Sequence, residues 1–406
     1  TGATTWSLTG ALTITDNGKK SNALYAYNGG KITAEDGAKV TISGAQHGIC
    51  VDSNATVNIG NIAISGCAGH AVKMTSGKAV LGGINISESG SNNILVSGGE
   101  LVVNGYADGS KSQIGASKED NIKVSGEGVV RFNAVSVLGS AKNNVVAIDG
   151  GTVQMENSSV TGGNHSVLAQ DGKVVLTNVT IENSATSAIR ANRAGSTVEA
   201  TGVVIDGAKT GLSVERGTVE ITNITIRNTK EVGVSVVQGI SVANVKLNNL
   251  VTENCGTHAI YTSGVDAKLT INGATLSNDG SDHVVNLNGG PMVLNDVTIR
   301  GENLASGKYE LYSGAGWLTI GGKMDADIYI ATNPGRVIKV NKELTGNNLV
   351  VDWKNAPTGN AFEFATEAIM NASKDNITLG KTQTNAGKQL YYTVDGTKAV
   401  AIVKAQ

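Results

Sequence analysis

The chain is short of the residues that usually shape a compact domain. Proline occurs 3 times in 406 residues, phenylalanine and tryptophan 3 times each, and aromatics make up 4%. An interior without large rings must be filled by small aliphatic side chains packed in a regular way. Cysteine occurs only at Cys50, Cys67 and Cys255. An odd count without C-x-x-C spacing argues against a disulfide framework or a thiolate metal site, and reads as small apolar filler. A charge bias is missing as well: 32 Lys and Arg face 34 Asp and Glu, for a net charge of −2. That balance removes nucleic acid from the expected partners. There is no run of about 18 apolar residues, so no membrane insertion is expected of this segment. The chain begins at Thr1 without a signal-peptide pattern, as expected of a mature or trimmed piece of a longer precursor.

What the chain does have is glycine, 53 residues, and hydrophobic residues at 40%, mostly Val, Ile, Ala and Leu. Its length exceeds what one hydrophobic core usually serves, so the first question is whether it repeats. It does. A polar or small residue, a small residue and an aliphatic recur as Asn22-Ala23-Leu24, His47-Gly48-Ile49, His70-Ala71-Val72, Asn92-Asn93-Ile94, Asp120-Asn121-Ile122 and Asn143-Asn144-Val145. The series continues with His165-Ser166-Val167, Ser187-Ala188-Ile189, Thr210-Gly211-Leu212, Val232-Gly233-Val234, His258-Ala259-Ile260 and His283-Val284-Val285. Most steps in this series are nearly equal, as from His70 to Asn92, from Asn143 to His165 and from His165 to Ser187. The longer ones, above all from Asn92 to Asp120, read as loop insertions.

Within each repeat a period-two alternation is interrupted by Asn, Gly or Asp, as in Val219-Glu220-Ile221-Thr222-Asn223-Ile224-Thr225-Ile226. The expected corners are Asn61, Gly83, Asn157, Asn178, Gly202, Asn223, Asn244, Gly273 and Asp296, residue types that tolerate a left-handed backbone. Short strands, tight corners and a repeat of roughly 22 residues predict an all-β, right-handed parallel β-helix solenoid of about twelve coils. Residues 1–21 are expected to cap it, 22–325 to form the helix, and 326–406 to add a small β-rich capping element or a junction to a further module. A short helix is expected over Asn360–Asn371, where Phe364, Ala368 and Ile369 would share a face.

With its Asn/Gly corners, the repeat resembles the right-handed β-helices of the pectate-lyase-like superfamily over residues 20–325. Within that group it is similar to adhesin-like surface proteins of gut bacteria. Asp327-Ile328-Tyr329-Ile330, Val337-Ile338-Lys339-Val340 and Glu343-Leu344-Thr345-Gly346 resemble segments that follow such helices in large exported proteins. The resemblance implies extracellular display and contact with glycans or host proteins. Enzymes of the superfamily imply carboxylates for calcium and a basic residue for proton abstraction, and polygalacturonase-like hydrolases an Asp-Asp pair and a Gly-His-Gly. This chain has neither motif; Gly69-His70-Ala71 and Arg336-Val337-Ile338-Lys339 are poor substitutes in the wrong order.

Candidate chemistry falls on two registers. All five histidines, His47, His70, His165, His258 and His283, occupy the same slot, which Asn, Asp, Ser and Thr fill elsewhere. This reads as a stacked polar turn position rather than a metal array. Four residues past the opening aliphatic come Asp149, Asp171, Arg193, Arg216 and Gln238, with Arg190, Asn192 and Glu215 beside them. Asp149, Asp171, Arg190, Arg193, Glu215 and Arg216 are therefore the candidate binding residues. They would form a groove for a sugar acid, or else a solvated ladder of ion pairs. Outward positions Tyr25, Leu95, Val146, Leu168 and Tyr261 are expected to leave apolar surface among Lys73, Lys123 and Arg190.

No catalytic residue, metal ligand or cofactor is assigned. The expected function is a non-enzymatic, monomeric binding module of a bacterial cell surface or extracellular protein, contacting a polysaccharide, glycoprotein or host-surface protein. The alternatives are a polysaccharide lyase or glycoside hydrolase acting in the Asp/Arg groove, and a stalk without ligand.

Overall fold

A computed structural model describes residues 4–35, 37–237, 242–331, 336–355, 357, 359–380, 385–395 and 398–405. The chain forms two compact units, Thr1–Ala208 and Lys209–Gln406, each a parallel β-solenoid. In the first, the aliphatic of each repeat sits against the aliphatic of the next. Ile49, Val72, Ile94, Ile122, Val145, Val167 and Ile189 form one in-register file. All seven are fully buried, and burying each side chain of this kind stabilises by about 1.5–3 kcal/mol. The second unit repeats the file with Leu212, Val234, Ile260, Val285, Leu311 and Ile328.

The two units together contain about 15 turns, not twelve. The difference arises because the triplet marks only some coils. Strands Thr5–Leu8 and Ala11–Thr15 already pair in parallel with Lys31–Ala34 and Lys39–Ser43. At the other end Leu311, Ile328 and Val351 prolong the file, with Glu310 or Asp327 where a small residue would stand.

The second unit changes its pairing at its end. Ile338–Trp353 pairs in parallel with Asn360–Phe364 and Ile377–Leu379. Lys398–Ala405 then pairs antiparallel with Asn360–Phe364 and Lys388–Asp395. The helix expected over Asn360–Asn371 is displaced: Asn360–Phe364 is a strand and the helix is Glu367–Ser373. Phe362 and Phe364 alternate to the buried side of that strand, where Phe362 meets Trp353 edge-on at 5.9 Å. The helix begins only after Thr366, whose hydroxyl caps it by accepting from the Ile369 N–H.

Corners follow the expected chemistry with one shift. Asn61, Asn157, Asn178, Asn223, Asp296 and the glycines Gly83, Gly202 and Gly273 all have φ between 50° and 72°. Asn244 does not; it lies in the strand Ala243–Glu253 opposite Thr218, and Asn249, with φ 54°, makes that corner. Ala134 holds a corner at φ 55° without a side chain suited to it.

Inside the first unit a file of asparagines replaces part of the apolar core. Asn93 Nδ2 donates to Asn121 Oδ1 at 2.9 Å, and Asn121 Nδ2 donates to Asn144 Oδ1 at 2.9 Å. The same amides donate to backbone carbonyls of Gly115, Leu138, Thr161 and Gly162. All three side chains are fully buried, so they close turn carbonyls that solvent cannot reach.

Three substitutions test these assignments by urea unfolding. Asn223→Ala places an ordinary side chain in the left-handed region and should cost about 1 kcal/mol, whereas Ala134→Gly should cost nothing or stabilise slightly. Asn121→Ala should cost about 1–3 kcal/mol, because it strips buried amide and carbonyl groups of partners. A midpoint for Asn121→Ala equal to that of the unsubstituted protein would contradict this account of the ladder.

Candidate functional site

Asp149, Asp171 and Arg193 lie together in the first unit. Arg193 Nη1 is 3.5 Å from Asp149 Oδ1 and 3.4 Å from Asp171 Oδ2. Turning the Gln170 amide lets its oxygen accept from Arg193 Nε and Nη2 at 3.1 Å. The Gly195 N–H donates to Asp171 Oδ1 at 2.9 Å. The Asp149 and Asp171 side chains are 64% and 37% exposed, and both residues have positive φ, 50° and 58°. The turn backbone alone therefore accounts for Asp at these positions, and a shared guanidinium offsets part of their stacked negative charge. Glu215 and Arg216 belong to the second unit, at the turn between strands Thr210–Val214 and Gly217–Arg227. Gln238 lies outside the described residues. Asn192, beside Arg193, takes its N–H to the Ala169 carbonyl.

Arg190 is directed at a slot histidine: its Nη1 lies 2.9 Å from His165 Nε2. A guanidinium only donates, so His165 accepts at Nε2 and carries its proton on Nδ1. Burial, and then the Arg190 charge, push His165 down to about 4. His47 and His70 stack at 5.2 Å with planes 8° apart, and His47 Nδ1 accepts the His70 N–H at 3.0 Å. Burial, with the neighbouring His47 second, pushes His70 down to about 4. In the second unit His258 Nδ1 bonds the His283 carbonyl at 2.6 Å, and His283 stacks on Tyr312 at 4.4 Å. Among the described residues no group of three or more His, Cys, Asp or Glu is placed to hold a metal.

On the outward face of the first unit, Tyr25, Cys50, Lys73, Leu95, Lys123, Val146, Leu168 and Arg190 form one in-register column. Val146 and Leu168 were expected to be exposed there but are 3% and 7% accessible. They are flanked on the ladder by Lys123 and Arg190, whose long apolar stems cover such surface while the charge stays in solvent. The column contains no carboxylate.

A cleft that the sequence pattern does not announce opens at the start of this column. Trp6, Tyr25 and Tyr27, 42%, 47% and 54% exposed, border a concavity of about 540 Å³ with Thr4, Asn28 and Lys31. Tyr25 and Tyr27 stack at 5.1 Å. Tyr25 also borders a smaller hollow of about 100 Å³ with Asn22, His47, Asp52, Lys73 and Thr75. Asp52 Oδ1 accepts from the Thr75 hydroxyl at 2.7 Å and the Ser53 N–H at 2.6 Å. These bonds, the hydroxyl's first, hold its carboxyl below the usual range. The available signal was the grouping of Trp6, Tyr25 and Tyr27 near the start of a chain so poor in aromatics.

A second unanticipated cluster lies in the second unit. Tyr309 and Tyr329 stack at 4.1 Å, and Glu310 Oε2 accepts the Asp327 N–H at 2.7 Å. Burial raises both carboxyls above their ordinary range.

Residues 120–276 match the family model described as a right handed beta helix region. No curated protein matches the chain. The ladder pairing and the family match together define the class: this chain is a parallel β-helix, all-β with only 3% helix.

The slot histidines give the fold a pH dependence with a definite sign. An unfolded histidine titrates near 6.5, while folded His70 and His165 resist protonation until about 4. Their contribution is complete above pH 6.5 and is lost as pH falls toward 4. His165→Asn, with the side chain that fills this slot at Asn92 and Asn143, should flatten the fall of the urea midpoint between pH 6.5 and 4. An unchanged slope would exclude His165 as a contributor.

Proposed function

We propose that this β-helix is a non-enzymatic, adhesin-like binding module displayed outside a bacterial cell, contacting extended glycans or the proteins that carry them. The observation that carries this reading is the outward column from Tyr25 to Arg190. It places Tyr25, Lys73, Leu95, Lys123 and Arg190 in register on the surface, about 4.8 Å per coil, with no acidic residue among the column's own positions. Lys73 and Lys123 stand two coils apart, about 10 Å, and Arg190 three coils further, about 15 Å. A polymer with its own regular spacing can engage such a column at several points, each weak and together strong.

A lyase or hydrolase at Asp149, Asp171 and Arg193 has less support. Both carboxylates are open to solvent and share a guanidinium that would have to be displaced before either could act on a substrate. Exposed pairs of this kind contribute about 0–1 kcal/mol to stability, as a charge ladder would.

The test is a polysaccharide and glycoprotein array read together with absorbance at about 235 nm, where unsaturated lyase products absorb. Saturable binding without product is expected, weakened severalfold in Lys73→Ala/Lys123→Ala and more so at low salt. Product formation that Asp171→Ala or Arg193→Ala abolishes would replace this reading with the enzymatic one.

A further inference from the structure

We infer that the cleft around Tyr25 is a subsite for the end of a glycan, holding one or two pyranose units by aromatic contact on one side and hydrogen bonding on the other. The inference rests on the binding-module reading and gives it a location and a ligand chemistry.

The larger hollow, about 540 Å³, is within the usual range for small-ligand sites, about 300–1,000 Å³. It is bordered by Trp6, Tyr25 and Tyr27, all substantially exposed. A pyranose has one face of C–H groups and a rim of hydroxyls. Rings receive the first and polar groups the second, because an apolar contact leaves the hydroxyls free only if partners stand at the edge. Such partners are present. Asn28 and Lys31 lie beside the rings. Across Tyr25, the smaller hollow offers Asp52, Lys73, Asn22 and Thr75. Asp52 is already oriented by Thr75 and Ser53, so little further ordering is needed when its remaining lone pairs accept from vicinal hydroxyls.

Tyr25 borders both hollows, so that rings gather on one side of it and polar groups on the other. The bipartite lining is what selects a sugar. A purely apolar ligand would strip water from Asp52 and Lys73 without offering them a hydrogen bond in return. A simple anion would gain nothing from three rings and would face the Asp52 carboxylate. Because the cleft stands at the head of the Lys73–Lys123–Arg190 column, a chain whose terminal unit sits here would lie along that column.

The experiment is calorimetric titration of the full chain with cellobiose, lactose and mannobiose, alongside the array, with sedimentation velocity to follow self-association. At least one disaccharide should saturate the protein in the millimolar range. Tyr27→Ala and Asp52→Ala should each weaken it tenfold or more, while Tyr27→Phe, which keeps the ring face, and Lys246→Ala, in the second unit, should leave it within twofold. Circular dichroism of each variant separates lost binding from lost fold. Array binding by a protein that takes no disaccharide, or takes one equally well as Tyr27→Ala and Asp52→Ala, overturns the subsite and leaves the module reading standing. Silence on both array and titration overturns both. Concentration-dependent dimers that Tyr27→Ala abolishes, without sugar binding, would make a second copy the occupant of the cleft and overturn the proposal.

Discussion

Everything in this molecule depends on one constraint: each coil must lie in register on the next, so that like residues stack at intervals of about 4.8 Å. A parallel ladder uses both edges of every interior strand. It therefore demands a coil length that returns each aliphatic to the file it left. The commonest step, as from His70 to Asn92 or from His165 to Ser187, does this directly. Asn92 to Asp120 is the longest step in the series, yet Ile94 and Ile122 still pair. A core of small aliphatics suffices because each is covered above and below by its own kind. This is why the chain can do almost without aromatics.

The same stacking sets the terms for every polar group. A side chain repeated at this spacing meets itself, so a charge in one coil is repelled by the same charge in the next. Neutral asparagine suits the arrangement, since its amide can donate to one neighbour and accept from the other, as Asn121 does between Asn144 and Asn93 inside, while Asn249 donates to Asn223 outside. A cation between them eases the stacking of acids, as Arg193 does for Asp149 and Asp171. Histidine is tolerated because it can remain neutral. His47 and His70 stack ring on ring, and the cost of charging His70 beside His47 adds to burial in pushing His70 down to about 4.

These rules explain what could be read from the sequence. The triplet slot, the period-two strands and most corners were legible because each is a local chemical requirement repeated many times. The Asp149–Asp171–Arg193 grouping was legible from spacing alone, since register converts one full coil of separation along the chain into adjacency. Coils that keep the ladder but lose the triplet were not legible, such as those at Leu311 and Ile328, nor was a corner at Ala134, whose side chain carries no turn signal. Whether an outward residue is exposed was also hidden. Val146 and Leu168 alternate outward correctly, yet their accessibility is decided by the reach of long neighbours one coil away. The helix was misplaced because Phe362 and Phe364 satisfy strand alternation within a window that also allowed a helical face.

Repetition also bears on where specificity can arise. Along a regular stretch, every coil offers nearly the same environment, so such a stretch suits contacts that are individually weak and geometrically periodic. A discriminating site needs an asymmetric arrangement of unlike groups. The repeat supplies that only where it is broken. In the first unit the clearest break is the first few coils, where Trp6, Tyr25 and Tyr27 line one hollow and Tyr25 meets Asp52 and Lys73 in the next. In the second it is the run from Tyr309 to Tyr329, where desolvated carboxyls sit among stacked tyrosines. The ion-pair ladder of Asp149, Asp171 and Arg193 continues the repeat and satisfies itself. A regular column for avidity joined to an irregular cleft for selection is the division of labour that this register constraint makes available.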